Sequence, residues 1–583
     1  MFRLNVCPFA GALALSLAAG MASCVDHAYD LDRDIDMTIS VGGEYLAIPA
    51  GSTDTAYLSK LIDEGDLLTV DGASHCYQLT KKDDVSVQPT SVKTVEIGQI
   101  ESDGFTPVNI AGAGVSAEAD GSVSVDNEAD FSTTVTGIDE ALKELGTLSA
   151  ETPGRLTVTF SFGGTYSYSE VRAAALSIVL PDFLTLREGA ETRGTLSGNT
   201  LVLDGQLLSG GGNAPFTTVV EVTGYRFGDR AGQGIVPVAG TMDINGRMTV
   251  EGRVTTTAAA GSGGSLTFTP SAVLEPMSVN RVKGVIQPDI EVDPTDILLD
   301  DMPDFLKDDD TRLDITNPTI AFRATNTLDT PVQLNVALAS LRNGESDPLA
   351  EVEVDALEID AAATTVIVLS RLGQSSYPDG AHVKNVRVDD INSLWERIPD
   401  RIVVDMQAEV ANPDYYEVDL GRDYDMQADY DVLVPLSFEK GLNIVYNDSI
   451  CDLNGDLSDL DQVDFTTLNL NFTALNTIPL QLEVKPENVT LTDLAGRKID
   501  DIVVASDGNK VAESTDGSTP VESSFTLTFT TAQPGVLSRI DRIAFKVTAV
   551  PGQALSIPLR DNQWFRMTKM SLGAPGGVKV DLN

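Results

Sequence analysis

The chain has 583 residues, and its 42% hydrophobic content is enough for the cores of about four ordinary domains. Its 87 acidic residues against 39 basic ones give a formal net charge of −48. Because phosphate backbones repel a chain of this charge, nucleic-acid binding is excluded. Anionic lipid surfaces repel it for the same reason, and the charge is typical of a soluble surface protein.

Residues 1–23 are typical of a secretory signal peptide. Arg3 supplies a positive charge, the apolar run VCPFAGALALSLAAG follows, and the small residues Ala22 and Ser23 come directly before Cys24. The apolar run is shorter than the roughly 20 residues that a membrane-spanning helix needs. We therefore expect a signal peptidase to remove residues 1–23.

The residues at the expected cleavage point, MASC, resemble the lipobox of bacterial lipoproteins. In that family the cysteine thiol accepts diacylglycerol before cleavage, so the resemblance implies that Cys24 is the lipidation site. Each buried methylene contributes about 0.8 kcal/mol, so two or three acyl chains hold a protein on a membrane. Met21 departs from the more usual leucine at its position, and ordinary secretion with a chance cysteine is the alternative.

The segment VDHAYDLDRDIDMTI after Cys24 is strongly acidic. Its aspartates Asp30, Asp32, Asp34 and Asp36 recur with a period of two, which places four carboxylates on one face of a strand. A solvated strand face and a calcium-binding ladder both fit. The segment also resembles the acid-rich stretch of surface-exported lipoproteins of Bacteroidota-type bacteria. That resemblance implies an outer-membrane protein facing the cell exterior, with a periplasm-facing protein as the alternative.

Residues 24–108 are predicted to hold the anchor stretch and a small α+β unit. In TAYLSKLIDEGDLL, the apolar residues Leu58, Leu61 and Ile62 have helical spacing, and Gly65 is a stop signal. The sequence therefore predicts one short helix here, beside strands.

Residues 109–288 are predicted to form a β-rich domain. The sequence LTVTFSF at 156–162 alternates apolar and polar side chains, as a half-buried strand does. IDEALKEL at 138–145 predicts a helix that interrupts the sheet. Asn245-Gly246 between two alternating runs predicts a two-residue hairpin.

A weak internal repeat follows a Pro-rich, acidic boundary near residues 286–312. One copy reads TIAFRATNTLDTPVQLNVALASL from Thr319, and the other reads LNLNFTALNTIPLQLEVKPENV from Leu468. Each copy predicts a strand, an Asn-Thr turn at Asn326 or Asn476 closed by proline, and a second alternating strand. Chance similarity of two such segments is the alternative.

The repeat predicts two homologous β-sandwich modules over residues 289–435 and 436–583. The predicted fold class is therefore mainly β, with several tandem immunoglobulin-like sandwich modules and a small α+β N-terminal unit. The runs NPTIAFRATNTLDTPVQLNV, DLDRDIDMTISVGG, DMPDFLKDDD and VKVDLN together resemble a family of large, uncharacterised surface lipoproteins of Bacteroidota-type bacteria. The resemblance implies a location and a β-module architecture, and no activity. The paired turns are also loosely similar to modules of water-stress proteins.

Two short triplets resemble O-glycosylation acceptors of such bacteria. They are DTA at residues 54–56 and DSI at residues 448–450. Two cysteines, Cys76 and Cys451, remain in the body of the chain. They either form a bridge or stay as two separate thiols, since they lie in different predicted units.

No catalytic constellation emerges from the residues that usually carry chemistry. Histidine is the commonest general base, and the chain has only His27, His75 and His382. His75 is adjacent to Cys76, but sequence neighbours in a strand point apart. Carboxylates are too abundant for any pair to be nominated as a glycosidase acid and nucleophile. We predict that the protein is not an enzyme and holds no cofactor.

The remaining candidates concern glycan and calcium binding. Either tryptophan, Trp395 or Trp564, could stack on a sugar, although a place in a module core explains both. Two acidic clusters offer carboxylates to calcium, yet neither follows the EF-hand pattern, and solvated loops explain both. The clusters are Asp452, Asn454, Asp456 and Ser458 in one case, and Asp423, Asp425, Asp429 and Asp431 in the other. No metal site is predicted from either.

Three functional hypotheses follow. The first is a membrane-anchored lipoprotein whose modules bind a protein or glycan ligand or build a surface assembly. The second is an extracellular glycan hydrolase with paired carboxylates. The third is a fimbria-like subunit that donates a terminal strand to a neighbour, for which VKVDLN is the candidate.

Overall fold

The computed structural model is mainly β, as the sequence predicts. It describes residues 5–6, 45–51, 55–60, 62, 64–118, 121–261, 263–299, 306, 308–342, 344–375, 377, 382–411, 414–451, 453–454, 466–533 and 535–575. Buried apolar side chains between Leu58 and Met567 form one connected hydrophobic core.

The strands of the N-terminal segment are β1 (Asn5–Val6), β2 (Tyr45–Gly51), β3 (Ala56–Tyr57), β4 (Leu68–Val70), β5 (Tyr77–Val85), β6 (Thr90–Ser91), β7 (Val95–Ile97), β8 (Ile100–Asp103) and β9 (Val108–Gly112). Those of the β-rich unit are β10 (Ser122–Phe131), β11 (Thr133–Thr136), β12 (Leu142–Gly164), β13 (Tyr168–Ala173), β14 (Ser177–Val179), β15 (Leu184–Glu188), β16 (Thr195–Ser197), β17 (Thr200–Val202), β18 (Leu207–Ser209), β19 (Phe216–Arg226), β20 (Thr241–Ile244), β21 (Arg247–Ala258), β22 (Ser265–Leu274), β23 (Met277–Val279) and β24 (Arg281–Ile286).

The first module contains β25 (Thr295–Leu298), β26 (Thr319–Asn326), β27 (Val332–Leu341), β28 (Ala350–Ile359), β29 (Ala363–Ser370), β30 (Val383–Arg387), β31 (Arg401–Val410), β32 (Tyr416–Asp419), β33 (Asp423–Tyr424) and β34 (Gln427–Pro435), with the short helix α1 (Ser393–Glu396). The second module contains β35 (Ile444–Cys451), β36 (Thr467–Asn476), β37 (Gln481–Thr492), β38 (Ile502–Asp507), β39 (Lys510–Val511), β40 (Val521–Thr531), β41 (Arg542–Val550) and β42 (Trp564–Pro575). Single turns of 3-10 helix lie at Leu58–Lys60 and Leu537–Arg539.

The β-rich unit is built on one large antiparallel sheet. Its long strand β12 pairs with β19 on one side and with β22 and β24 on the other. The alternating sequence at 156–162 lies in β12, and its apolar side chains are buried as predicted. Phe160 lies at the centre, with ring centroids 5.6 Å from Phe216 and 4.7 Å from Phe268.

Each module is a pair of sheets with matching strand order. In the first module β34 pairs with β26, which pairs with β29, while the second sheet runs β25-β31-β27-β28. In the second module β42 pairs with β36, which pairs with β40, and the other sheet runs β35-β41-β37-β39. The predicted repeat is therefore confirmed as tandem β-sandwich modules.

The repeated asparagine performs the same task in both modules. Asn326 donates to the carbonyl oxygens of Thr330 (2.8 Å) and Asp360 (3.1 Å) and accepts from the N–H of Leu328 (2.9 Å). Asn476 makes the equivalent three bonds, at 3.1, 3.0 and 2.8 Å. The segment after each asparagine carries the chain from one sheet to the other, and the buried amide pairs its backbone groups.

N-terminal strands complete the sheets of both modules. β2 pairs with β42 from Tyr45, opposite Pro575, to Gly51, opposite Met570. β5 pairs with β34, and β4 pairs with β5. The predicted boundaries between units stay predictions, because strand pairing across a boundary does not define a folding unit.

The short strand β1 pairs with β35, with Asn5 opposite Cys451 and Val6 opposite Ile450. Both β1 residues belong to the predicted signal peptide. We therefore expect this pairing to be absent from the mature protein.

The helix predicted in TAYLSKLIDEGDLL is wrong beyond a single turn. Ala56–Tyr57 is a strand, Leu58–Lys60 is one 3-10 turn, and the N–H of Ile62 donates to the carbonyl of Leu58 at 2.8 Å. Leu58 is fully buried, and its N–H bonds the carbonyl of Gln563. Tertiary pairing with the C-terminal part of the chain therefore overrides the helical spacing.

The helix predicted over 138–145 is also wrong, because Leu142 begins strand β12. Two register irregularities lie in the pairing of β12 with β24, one after Leu142 and one after Leu145. Each inserts an extra residue, so buried leucines recur three residues apart in a strand and imitate helical spacing.

The hairpin predicted at Asn245-Gly246 is wrong. These two residues lie at a bend in a long two-stranded antiparallel ribbon. β21 pairs with β10, and β20 pairs with β11, which follows β10 directly. The N–H of Phe131 bonds the carbonyl of Gly246 at the bend. The Asn-Gly pair therefore turns both strands together and does not reverse the chain.

Candidate functional site

A groove of about 340 Å³ lies where the two modules meet. It is lined by Asp314, Thr316, Arg371, Leu372, Glu439, Lys440 and Leu555. The first four belong to the first module, on the segment before β26 and the turn after β29. The others belong to the second module, so the groove depends on both.

Structural hydrogen bonds hold the charged lining of the groove in place. Asp314 accepts from the Arg371 guanidinium at 2.7 Å with one carboxylate oxygen and from the N–H of Gly441 at 2.8 Å with the other. The same Arg371 nitrogen donates to the carbonyl of Ile315 at 2.7 Å. Glu439 accepts from the hydroxyl of Ser556 at 2.5 Å. These carboxylates orient loops and are not arranged as an acid and a nucleophile facing a free space.

The groove also presents apolar surface. The side chain of Leu372 is 54% exposed at its rim, beside Leu555. Binding sites typically combine exposed apolar surface with a few fixed polar groups. The arrangement can therefore hold a ligand or a partner segment.

A buried carboxylate links the β-rich unit to the first module. Glu144 of β12 is only 8% exposed and accepts hydrogen bonds from the N–H of Gly232 (3.0 Å), the N–H of Gly234 (2.6 Å) and the hydroxyl of Tyr415 (2.7 Å). Burial works to raise the pKa of Glu144, but the Tyr415 and backbone hydrogen bonds outweigh it and lower the pKa overall. Burial, together with its bond to Glu144, raises the pKa of Tyr415.

Two glycines make the slot that receives Tyr415. A Cβ at Gly146 would lie 2.1 Å from the Tyr415 ring, and one at Gly234 would lie 2.3 Å from its hydroxyl oxygen. Only glycine fits at such a close approach. The Tyr415 side chain therefore packs between the two parts of the chain, and no local sequence pattern indicates this contact.

His75 and His382 are exposed, and each lies beside an aspartate. His75 Nδ1 lies 3.3 Å from an Asp561 oxygen, and Cys76 is a free, half-buried thiol whose sulfur lies 3.5 Å from the carbonyl oxygen of Ser74. The structure therefore does not pair the two as base and nucleophile. It also excludes a Cys76–Cys451 bridge. His27 lies outside the described residues.

His382 belongs to a small charged cluster. Its Nδ1 lies 2.7 Å from Asp360, whose other oxygen is 2.6 Å from Lys384 Nζ. The Lys384 and His382 hydrogen bonds lower the pKa of Asp360. The cluster joins the edge strand β30 to the turn between β28 and β29, which is a structural role.

The two tryptophans have different environments. Trp395 of α1 is completely buried in the first module, as its core interpretation predicts. Trp564, the first residue of β42, is half-buried. Trp564 alone is therefore accessible to a ligand.

The acidic clusters do not converge on a metal ion. Asp429 lies 3.3 Å from Arg323, and Asp431 lies 2.7 Å from Lys82, so these carboxylates are in ion pairs along their sheet. Among the described residues, no group of three or more potential ligands could hold a metal. Asp452, Asp456 and Ser458 lie outside the described residues, as do the aspartates at positions 30–36 and Cys24.

The acceptor triplet at 448–450 is poorly placed for modification. Ser449 lies in β35 and is only 4% exposed. Its hydroxyl lies 3.7 Å from the sulfur of Cys451. Asp54, in the other triplet, lies outside the described residues. No helix in the described part of the chain has the length and apolarity that crossing a membrane demands.

Comparisons with known proteins show no family. No family model and no curated protein matches the chain. A solved structure from Parabacteroides distasonis, named as a candidate secreted protein, is similar at 14% identity over 51% of this chain and 83% of its own, with a TM-score of 0.37. An infectious bursal disease virus particle protein is similar at 8% identity over 86% of this chain and 79% of its own, with a TM-score of 0.14. Scores this low carry no argument about fold or function.

Proposed function

We propose that the chain is a membrane-anchored, cell-surface lipoprotein with a non-enzymatic binding role. Its lipid would be attached to Cys24, and its tandem modules would present a binding surface away from the outer membrane. The lipobox-like sequence MASC and the acidic stretch after it support the anchor.

One structural observation favours binding over catalysis. Within the described residues, the carboxylates that line the groove are engaged in structural hydrogen bonds: Asp314 accepts from Arg371 and from the N–H of Gly441, and Glu439 accepts from Ser556. A catalytic acid or base has to reach the atom on which it acts in the bound substrate. Fixed polar groups beside the exposed side chain of Leu372 are instead typical of a binding site.

No specific observation favours the hydrolase or the fimbria-like alternative. β42, the last described strand, lies between β2 and β36 of its own chain and is not free for donation. The VKVDLN segment at 578–583 lies outside the described residues.

A Cys24→Ala variant tests the anchor. We expect the wild-type protein to sediment with the membrane fraction and to require detergent for release. The variant should appear in the soluble fraction, since its acidic surface has no affinity for anionic lipid. Membrane retention of the Cys24→Ala variant after a high-salt wash would contradict the proposal.

Cys76→Ala is the matched control, because it also removes one cysteine. It should remain in the membrane fraction like the wild type. Globomycin, which blocks lipoprotein signal processing, should leave an unprocessed wild-type precursor.

A further inference from the structure

Two aromatic side chains lie side by side on the outer face of the second module. Tyr57 of β3 is directly opposite Trp564 of β42 in an antiparallel pair, and such residues point to the same face. Phe565 and Met567, the alternate residues of β42, are 1% and 2% exposed and point into the core. Trp564 and Arg566 therefore point outward. Tyr57 is 40% exposed and Trp564 is half-buried.

Two exposed cations continue this outer face along β42. Arg566 follows Trp564 by two residues, and Lys569 is opposite Thr473 after a bulge at Thr568. Within the described residues, neither Arg566 nor Lys569 forms an ion pair or a side-chain hydrogen bond. Two neighbouring cations without carboxylate partners are unexpected in a chain with a net charge of −48.

Hydroxyl and amide groups line the neighbouring strands on the same face. Thr473 Oγ1 lies 3.0 Å from Ser524 Oγ, and Thr526 donates to the Asn471 side chain at 2.8 Å. Each hydroxyl keeps further hydrogen-bonding capacity, because it combines one donor with two acceptor positions. The face from Thr473 to the Trp564 end spans about 13 Å of strand. We name the set Tyr57, Trp564, Arg566, Lys569 and Thr473 the β42 face.

The first module shows that the fold does not require these residues. Thr477 donates to the carbonyl of Trp564, and Thr327 donates in the same way to that of Asp425, so Asp425 is the counterpart of Trp564. Asp429 is opposite Arg323 as Lys569 is opposite Thr473. The first module therefore has aspartates in place of Trp564 and Lys569, and Gln427 in place of Arg566.

We infer that the β42 face binds a glycan that carries carboxylate groups, such as a polymer of uronic acids. The inference rests on the proposed binding function and names its ligand class. The negative faces of Tyr57 and Trp564 attract the polarised C–H groups of a sugar ring. Arg566 offers a planar fork that matches a carboxylate, and Lys569 adds a second positive charge.

The overall negative charge does not prevent this binding. Charges farther away than the Debye length of about 8 Å at physiological ionic strength are largely screened. The ligand carboxylate would contact Arg566 and Lys569 directly, inside that distance. A glycan fits better than an apolar partner, because hydroxyl and amide groups surround the aromatic pair.

Intrinsic fluorescence gives a direct test with the full-length protein in detergent. The chain has two tryptophans, and Trp395 is completely buried, so Trp564 is the one that a bound sugar can contact. Polygalacturonate is the probe, and its methyl ester is the matched uncharged probe with the same backbone. We expect polygalacturonate to change Trp564 emission and to protect it from acrylamide quenching, with a clearly weaker effect of the ester.

Substitutions locate the site. Arg566→Gln should weaken polygalacturonate binding at least tenfold in calorimetry, since it removes a charge-assisted hydrogen bond. Trp564→Ala should weaken it similarly, and Trp564→Phe should retain most of the affinity. Lys485→Gln is the control, because it removes one exposed cation from the other sheet of the same module and should bind like the wild type. Because Arg566 is exposed, we expect Arg566→Gln to fold normally. It therefore tests the site even if Trp564→Ala does not fold.

The following results would contradict the inference. Polygalacturonate binding that Arg566→Gln and Trp564→Ala leave unchanged would overturn the assignment of the face. Equal binding of polygalacturonate and its ester, or binding of neither, would overturn the ligand class. Binding of a protein through these residues, with no glycan bound, would also overturn it. If polygalacturonate chains were shortened after incubation with the protein, the non-enzymatic proposal would be contradicted. The binding results by themselves do not test that proposal.

Discussion

Replacement of Glu144 by alanine is expected to lower the free energy of unfolding by about 2–4 kcal/mol, because three hydrogen bonds to a buried carboxylate are lost and their donors are only partly reached by water. The variant would leave the Tyr415 hydroxyl and the N–H groups of Gly232 and Gly234, which are half-buried or exposed, without their acceptor. Calorimetric unfolding measures the loss. Hydrogen exchange should show faster exchange around Gly232 and Tyr415, since the contact joins these segments.

The same carboxylate predicts a pH dependence. The pKa of folded Glu144 lies below its ordinary value, so its contribution is fully present above the unfolded pKa and is lost as the pH falls through the folded pKa. The stability difference between wild type and Glu144→Gln should therefore be constant near neutral pH and shrink in acid. Glu140→Ala is the control, because Glu140 is exposed in the preceding turn and its loss should change stability by less than about 0.5 kcal/mol. A Glu144→Ala protein as stable as Glu140→Ala would refute the assigned role.

Asn476→Ala is expected to cost about 2–4 kcal/mol, because three hydrogen bonds to buried backbone groups are lost. Asn326→Ala should cost a similar amount, since its three bonds are equivalent. Chemical denaturation followed by tryptophan fluorescence distinguishes the effects of the two variants, because Trp395 reports on the first module and Trp564 on the second. Each variant should shift mainly the transition of its own module.

Asn335→Ala serves as the control for both asparagine variants. Asn335 is half-exposed and accepts one hydrogen bond, from the N–H of Ala356 at 2.9 Å. Its loss should cost about 1 kcal/mol or less. Asparagine variants that unfold like this control would mean that the repeated amides do not hold the crossing segments.

The repeat was predictable from the sequence because its information is local. An asparagine at the end of one alternating run, with a proline before the next, marks the same crossing at Asn326 and Asn476. The buried apolar positions of β12 were predictable for the same reason, since alternation over 156–162 depends only on neighbouring residues.

Long-range pairing explains what the sequence could not predict. Bulges in β12 gave Leu142 and Leu145 the spacing of a helix, and only the partner strand reveals the difference. β2 pairs with β42 more than 500 residues away in the chain, and no local pattern encodes such a contact. An acidic residue among leucines was the one local signal for Glu144, but Tyr415 and its glycine slot come from distant segments.

The groove and the β42 face were hidden for a related reason. Asp314, Arg371 and Glu439 lie in three separate segments that meet only when the modules pack. Trp564 was recognisable as a sugar-stacking candidate, yet Tyr57 becomes its neighbour only through the pairing of β3 with β42. Residues that act together across sheets cannot be grouped by spacing alone.

Mass spectrometry of the mature N-terminus tests the lipid anchor most directly. We expect the first peptide to begin at Cys24 and to carry diacylglycerol on its thiol, with a further acyl chain on its amine. An unmodified Cys24, or a purified protein that still contains Asn5 and Val6 paired with β35, would contradict the anchor and the surface location that depends on it.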